Sequence, residues 1–335
     1  MQDPATTSLP AYDVVSVGEI LVDLTQVGTD GRGVALYERN PGGAPANLAA
    51  AVAKLELAAA FVGTVGNDPM GSFLVEALGD CDVDTGLVCH TDEACTAMAF
   101  ATLDPTTDGY SYSFVRKPGA DQLLRRSDLP VFLPQSCRIL HLGTLSLTDE
   151  PSRGTVLDLA REAQTAGTLV SCDANLRPHA WRSGDDMLRE TLGLVAHADL
   201  LKVSEEEACL LAGTAGLAEA TERLLAMGPC LVAVTRAQDG ALVATPTASA
   251  QVGAFSPVEA LDTTGAGDSF WGACLAWLVR EAEVRTRADV ERLGAEQLRA
   301  CTRFGCTAAS ITVERPGGIT SSPTADEVAA RLALW

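Results

Sequence analysis

The chain has 335 residues, of which 47% are apolar and 5% aromatic, with a formal net charge of −20. That apolar share supports a large core and argues against disorder, while the length allows one large α/β domain or two smaller ones. The excess of acid argues against general affinity for nucleic acid or an anionic membrane surface, and the scarcity of aromatics leaves little for base stacking.

The first residues, MQDPATTSLPAYD, carry neither a basic end nor an apolar stretch, so no secretory signal is expected. Apolar, β-rich runs at 14–17, 60–65, 139–142, 169–172, 200–203 and 231–235 read as strands. Helical patterns stand at 46–55, 152–164, 205–211, 217–227 and 269–279, and a last one closes 320–335, where it is expected to pack on the body of the domain. This alternation predicts an α/β fold, a mainly parallel sheet with helices on both faces, whose ligands bind beyond the carboxyl ends of the strands. Two stretches break the rhythm. Residues 22–40 are glycine-rich and polar, and residues 96–115 alternate as TAMAFATL and YSYSFV around the turn-like 104–109. Alternation marks half-exposed antiparallel strands, so a small β flap over the binding edge is expected from these two insertions. The ten cysteines form no Cys-x-x-Cys pair and lie scattered through apolar segments, as at Cys172, Cys209, Cys230 and Cys274. A reduced, cytosolic protein follows as the expectation.

Two glycine loops carry the chemistry. In Leu261–Phe270 (LDTTGAGDSF), Gly265 and Gly267 let successive N–H groups face one concavity at the start of a helix, a place that suits an anion. Asp268 sets a carboxylate beside it. Such a carboxylate either caps the helix or takes a proton from an attacking hydroxyl, the arrangement that phosphoryl transfer to an alcohol needs. The dipole at the helix end is expected to keep Asp268 ionised. The other loop, Asn40-Pro41-Gly42-Gly43-Ala44-Pro45-Ala46-Asn47, leads into an alanine-rich helix with Pro45 in its first turn. Neither loop is a Walker loop or a dinucleotide fingerprint.

Gly42-Gly43-Ala44-Pro45-Ala46-Asn47 and Asp262-Thr263-Thr264-Gly265-Ala266-Gly267-Asp268 resemble the two signatures of ribokinase-like (PfkB) sugar kinases, in the family's order. The resemblance runs from about residue 12 to the C-terminus. It implies a single ribokinase-like domain over 12–335, a three-layer α/β/α sandwich with a mostly parallel sheet and a β lid at about 22–40 and 96–118. It further implies that Asp268 is the general base and that the amides of Gly265, Ala266 and Gly267 form the anion hole. Asp23, Gly42, Gly43 and Asn47 match positions that hydrogen-bond sugar hydroxyls.

Ser204-Glu205-Glu206-Glu207 matches the family's Asn-x-x-Glu region, which organises Mg²⁺ and phosphates through water, with Ser204 in place of Asn. Ser204 and Glu207 also fit a capping box, and the two roles are compatible. Residues 235–240, from Thr235 to Gly240, correspond to a loop near the ATP phosphates that usually carries Gly where Ala237 stands. Asp262 and Thr264, with the Arg315–Gly318 backbone, match a monovalent cation site, K⁺ by resemblance. The substrate-side segments look most like the fructokinase branch, in which Arg116, on the flap's return strand, would approach the sugar. Arg177, in Asp173-Ala174-Asn175-Leu176-Arg177-Pro178, is shared with 2-keto-3-deoxygluconate kinases and keeps an acid sugar open, beside ribose, a nucleoside, or a non-catalytic sugar-binding regulator. Sugar and ATP are the implied partners. A homodimer through the β lid is a further expectation.

Overall fold

The computed structural model describes residues 11–103 and 110–335. The turn expected at 104–109 lies outside the described residues. From the N-terminus the strands are β1 (Tyr12–Val17), β2 (Leu21–Thr29), β3 (Ala35–Gly42), β4 (Ala59–Val62), β5 (Thr64–Gly66), β6 (Cys89–Thr91), β7 (Met98–Leu103) and β8 (Tyr110–Val115). They continue as β9 (Cys137–Gly143), β10 (Leu169–Asp173), β11 (Leu200–Ser204), β12 (Leu231–Thr235), β13 (Ala241–Ala244) and β14 (Ser249–Val252). The α-helices are α1 (Ala44–Lys54), α2 (Pro69–Gly79), α3 (Ser152–Ala166), α4 (Gly184–Val195), α5 (Glu205–Ala212), α6 (Leu217–Ala226), α7 (Ala266–Arg280), α8 (Arg287–Glu291), α9 (Ala295–Thr312) and α10 (Ala325–Leu332).

The main sheet runs β14-β13-β12-β11-β10-β9-β1-β4, parallel from β12 to β4 with an antiparallel hairpin, β13 and β14, at one edge. Its strands read as continuous apolar runs because both faces are covered. Alternate residues enter two different cores: Val14, Ile139, Leu169, Leu200 and Leu231 pack with α1, α7 and α9. Val15, Leu140, Val170, Leu201 and Val232 pack with α3, α4 and α6. Three layers follow, as the alternation of elements predicts.

The run at 60–65 is not one strand. Gly63 divides it, so that β4 joins the main sheet while β5 pairs with β6 in a separate ribbon. The two polar insertions do meet, in a four-stranded sheet ordered β3-β2-β7-β8, with β2 and β7 parallel and the outer pairs antiparallel. The final helical pattern is α10, whose Val328 is fully buried in the core shared with α9.

Helices α1 and α7 approach closely because both present small residues. α1 carries Ala46, Ala49, Ala50, Ala51 and Ala53, and a Cβ at Gly272 of α7 would come within 2.9 Å of the Ala51 methyl. This contact brings the first turns of the two helices together over the carboxyl ends of β1, β9, β10 and β11.

Candidate active site

A cavity of about 730 Å³, within the range of small-molecule sites, opens between that sheet edge and the four-stranded sheet. Glu19, Asp23, Asn47, His141, Asp173, Arg177, Lys202, Asp262, Gly267 and Asp268 all border it.

Gly265 caps α7 with φ 77°, the left-handed region that glycine enters without penalty, so the helix starts at Ala266 and Asp268 falls within its first turn. The Asp268 side chain caps nothing. Its Oδ2 accepts a hydrogen bond from Asn47 Nδ2 at 2.7 Å. The dipole expectation is incomplete here. Burial pushes the Asp268 carboxyl up, against the pull of Lys202, the Asn47 bond and Arg177. The anion-hole expectation changes at one residue. The Ala266 N–H is committed to Thr263 O at 3.2 Å inside the turn. Among the described residues, the amides of Gly265, Gly267 and Asp268 at this helix start have no protein acceptor, nor has that of Thr263 just before it.

On the sugar side, Asp23 of β2 lies opposite Asn40 of β3, and Gly42 leaves room for it: a Cβ there would overlap the Asp23 carboxylate. Burial raises Asp23 to about 6, with Arg177 pulling it down and Asp262 and Asp268 pushing it up. Gly43 has φ 110° and caps α1, and a side chain on it would meet Glu19 O at 2.6 Å. Arg177 stands exposed at the mouth, its Nη1 3.1 Å from Leu176 O.

Arg116 is a correction. It is 5% exposed, does not border the cavity, and is held entirely by protein: Nε donates to Asp121 Oδ2 at 2.6 Å, Nη1 to Thr148 Oγ1 and Nη2 to Leu145 O. It anchors the segment beneath Glu19 and has no donor directed at a sugar. β8 ends at Val115, so Arg116 lies just past the flap's return strand and not on it.

Ser204, Glu207, Thr235 and Gly240 lie at the same sheet edge but outside the cavity, with Ser204 and Thr235 paired in register. The capping box is present: Ser204 Oγ accepts from Glu207 N at 3.2 Å and Glu207 Oε2 accepts from Ser204 N at 2.8 Å. Glu207 Oε1 also accepts from Leu176 N at 2.6 Å, tying α5 to the loop after β10. Each oxygen keeps a lone pair for a metal-bound water, and an all-oxygen donor set suits a hard cation. Ala237 takes φ 46°, a conformation that suits glycine, which explains why the family's usual residue there is Gly. Asp262 accepts from Thr264 N at 2.8 Å and Gly317 N at 2.9 Å, linking the α7 turn to the loop at 315–318. Among the described residues no three His, Cys, Asp or Glu side chains gather into a metal cluster.

Four of these bordering residues, Glu19, His141, Asp173 and Lys202, carried no assignment from sequence. Lys202, His141 and Asp173 are polar residues of the buried strands β11, β9 and β10, and Glu19 stands two residues after β1. That misfit with a buried strand was their available signal. His141 Nδ1 shares a hydrogen bond with Ser171 Oγ at 2.9 Å, and Ser171 Oγ accepts from Trp271 Nε1 of α7 at 2.9 Å. Burial and Lys202 press His141 down to about 3, so it is neutral.

The pfkB family carbohydrate kinase profile matches residues 11–325. The chain belongs to that family. It is 37% identical over 318 residues to a probable fructokinase-2 of Arabidopsis thaliana, covering 93% of each chain. A fructokinase from Xylella fastidiosa with bound ATP superposes with a TM-score of 0.89 at 31% identity, over 96% of this chain and 98% of that one. A fructokinase double mutant from Vibrio cholerae in its fructose, ADP and potassium ion bound form superposes with a TM-score of 0.82 at 31% identity, over 97% and 99%. The fold is thus ribokinase-like, and this kinase has, among its described residues, no helix long and apolar enough to cross a membrane.

Proposed function

We propose that this kinase transfers the γ-phosphoryl group of ATP to the primary hydroxyl of D-fructose, giving fructose 6-phosphate and ADP. The observation that carries the reading is the buried Asp268 carboxylate, oriented by Asn47 beside the free amides of Gly265 and Gly267. Fructokinases that match along nearly the whole chain support fructose as the acceptor.

In this reading Asp23, Asn47 and the Gly42–Gly43 loop hold the sugar hydroxyls, and Asp268 receives the proton as the sugar oxygen bonds to phosphorus. The amides of Gly265 and Gly267 take the growing negative charge, and positioning with electrostatics supplies most of the rate. Ser204, Glu207, Thr235 and Gly240 border the nucleotide. Mg²⁺, bound with the nucleotide, would neutralise charge on its phosphates, with Glu207 reaching it through water. Asp262, Thr264 and the 315–318 backbone would hold a monovalent cation, K⁺, that steadies the anion-hole turn. The four-stranded sheet acts as a lid, excluding water so that the alcohol is phosphorylated.

A dimer would bury the lid's exposed Leu36, Tyr37 and Leu103 across a two-fold axis, and light scattering that returns a monomer would remove it. A cytosolic location completes the reading, and fractionation that recovers the protein in another compartment would exclude it. An acid sugar such as 2-keto-3-deoxygluconate is the second reading, favoured by the exposed Arg177 guanidinium at the mouth. ADP release measured over fructose, 2-keto-3-deoxygluconate, ribose and nucleosides separates them. Fructose should give the highest kcat/KM. A higher value for another acceptor would replace the substrate, and no turnover on any would end the kinase reading in favour of a sugar-binding regulator.

A further inference from the structure

Lys202 has no part in the reading above, yet its position is closely determined. Register on the sheet sets it opposite Asp173, and its Nζ donates to Asp173 Oδ2 at 3.0 Å. Both side chains are buried, 7% and 3% exposed. That bond uses one of the three ammonium donors, and among the described residues Nζ has no second protein acceptor.

The neighbour on its other side is the first turn of α7. A Cβ on Gly267 would lie 2.8 Å from Nζ, and Lys202 is the one residue beyond the local helix within 4 Å of it among the described residues. Gly267 has no positive φ, so the backbone would accept a side chain there and the position is kept clear by Lys202 itself. The ammonium therefore stands against Gly267, in the turn whose Gly267 and Asp268 amides lack a protein acceptor, on the wall of the same cavity.

A buried Lys–Asp pair could serve packing alone. The charges around this one argue otherwise. Asp173, Glu207 and Asp268 all act on Lys202, and together they outweigh burial and hold it protonated. Asp173 Oδ1 is buried with no donor. A terminal phosphate at the α7 turn would add negative charge to three carboxylates. The helix end supplies about half a positive charge, and the other cation on the wall, Arg177, is at the exposed mouth.

We propose that Lys202 is a further catalytic residue, donating from Nζ to an equatorial oxygen of the transferring phosphoryl group, and that Asp173 is a positioning residue that aims it. The proposal rests on the kinase reading above. In the step, the bond from phosphorus to the bridging oxygen of ATP breaks with its electron pair staying on ADP. The sugar oxygen bonds to phosphorus, its proton passes to Asp268, and Lys202 keeps its own protons throughout.

The test compares Lys202→Met with the double variant Lys202→Met/Asp173→Asn, which removes the pair without stranding a charge. Both should lose roughly 100-fold or more in kcat, the loss typical of one oxyanion donor, with KM for fructose within about threefold. By calorimetry a non-hydrolysable ATP analogue should bind about tenfold more weakly while ADP binds as before, because the lost contact is to the terminal phosphate. The double variant should regain thermal stability without regaining turnover. Recovery of turnover in the double variant, or equal loss of analogue and ADP affinity, would overturn the proposal. If the unmodified protein phosphorylates no sugar, the functional reading fails, and the contrast between analogue and ADP binding still decides the role of Lys202.

Discussion

Replacing Glu19 with glutamine should stabilise the ligand-free protein in mild alkali and barely change it in acid. Glu19 is 4% exposed; its Oε1 accepts from Ala44 N at 3.2 Å, and its Oε2 is buried without a donor. Burial, opposed by Arg116 and backbone hydrogen bonds, lifts its pKa from an ordinary 4.5 to about 7. Between those values the folded protein keeps a proton that the unfolded chain has released. Stability therefore falls as pH rises through that window. At about 1.4 kcal/mol per pH unit, the whole window costs about 3 kcal/mol once pH exceeds the folded value. Glutamine keeps an oxygen for Ala44 and carries no charge, so it escapes this cost. The gain should be about 3 kcal/mol at pH 8 and under about 1 kcal/mol at pH 5. For a chain of this length the larger figure corresponds to on the order of 4 °C in Tm. Differential scanning calorimetry of both proteins, without ligand, at the two pH values reads this directly. An equal gain at both pH values would show that the folded pKa of Glu19 is not raised, and a loss at pH 8 that its carboxylate is charge-paired when folded.

Three further outcomes are expected. Asp268→Asn should lower kcat by roughly 10²–10⁴-fold while fructose and ATP still bind, measured by ADP release and calorimetry; near-normal turnover would remove the base. Arg116→Met should cost about 3–5 kcal/mol in urea unfolding by stranding the buried Asp121, with KM for fructose little changed in the folded fraction. Unaltered stability with a tenfold higher KM would return Arg116 to the sugar site. Ala237→Gly should stabilise the fold by about 0.5–1 kcal/mol, since relief of the positive φ exceeds the added freedom of the unfolded chain; a loss of stability would mean that the loop tolerates alanine without strain.

The parallel core was legible because each buried strand is an apolar run between helical patterns, and both insertions announced themselves by composition. What escaped depended on weaker or non-local signals. Helix α9 includes threonines and Gly305 in its sequence AEQLRACTRFGCTAASIT, which blurs its apolar stripe, and β13 and β14 have only four residues each. Arg116 was expected on the flap's return strand and facing the sugar, and it lies one residue past that strand and faces the protein. Its partner Asp121 is only five residues on, yet whether a guanidinium turns toward that carboxylate or toward a cavity depends on packing from Thr148 and Leu145, far along the chain. The Asn47–Asp268 bond spans 221 residues and follows from the close contact of α1 with α7.

The glycines of the two loops were noticed for what they permit the backbone to do, and that accounts for only some of them. Gly265 and Gly43 hold positive φ at the starts of α7 and α1. Gly42, Gly267 and Gly318 do not; each is the empty space beside one polar side chain, respectively Asp23, Lys202 and Asn47. An added methyl would meet the Lys202 ammonium at 2.8 Å and the Asn47 amide oxygen at 2.5 Å. Asn47 and Lys202 are buried, Asp23 is half-buried, and each makes at most one side-chain hydrogen bond, so few protein contacts resist their displacement by a methyl group. The same openness leaves their unused donors and acceptors for a ligand. A glycine in such a loop is therefore informative in two ways: positive φ identifies a turn, and its absence directs attention to the side chain that occupies the vacated volume. By that second criterion Lys202 belongs with Asp23 and Asn47, although its own strand gives it the appearance of a stray charge in a core.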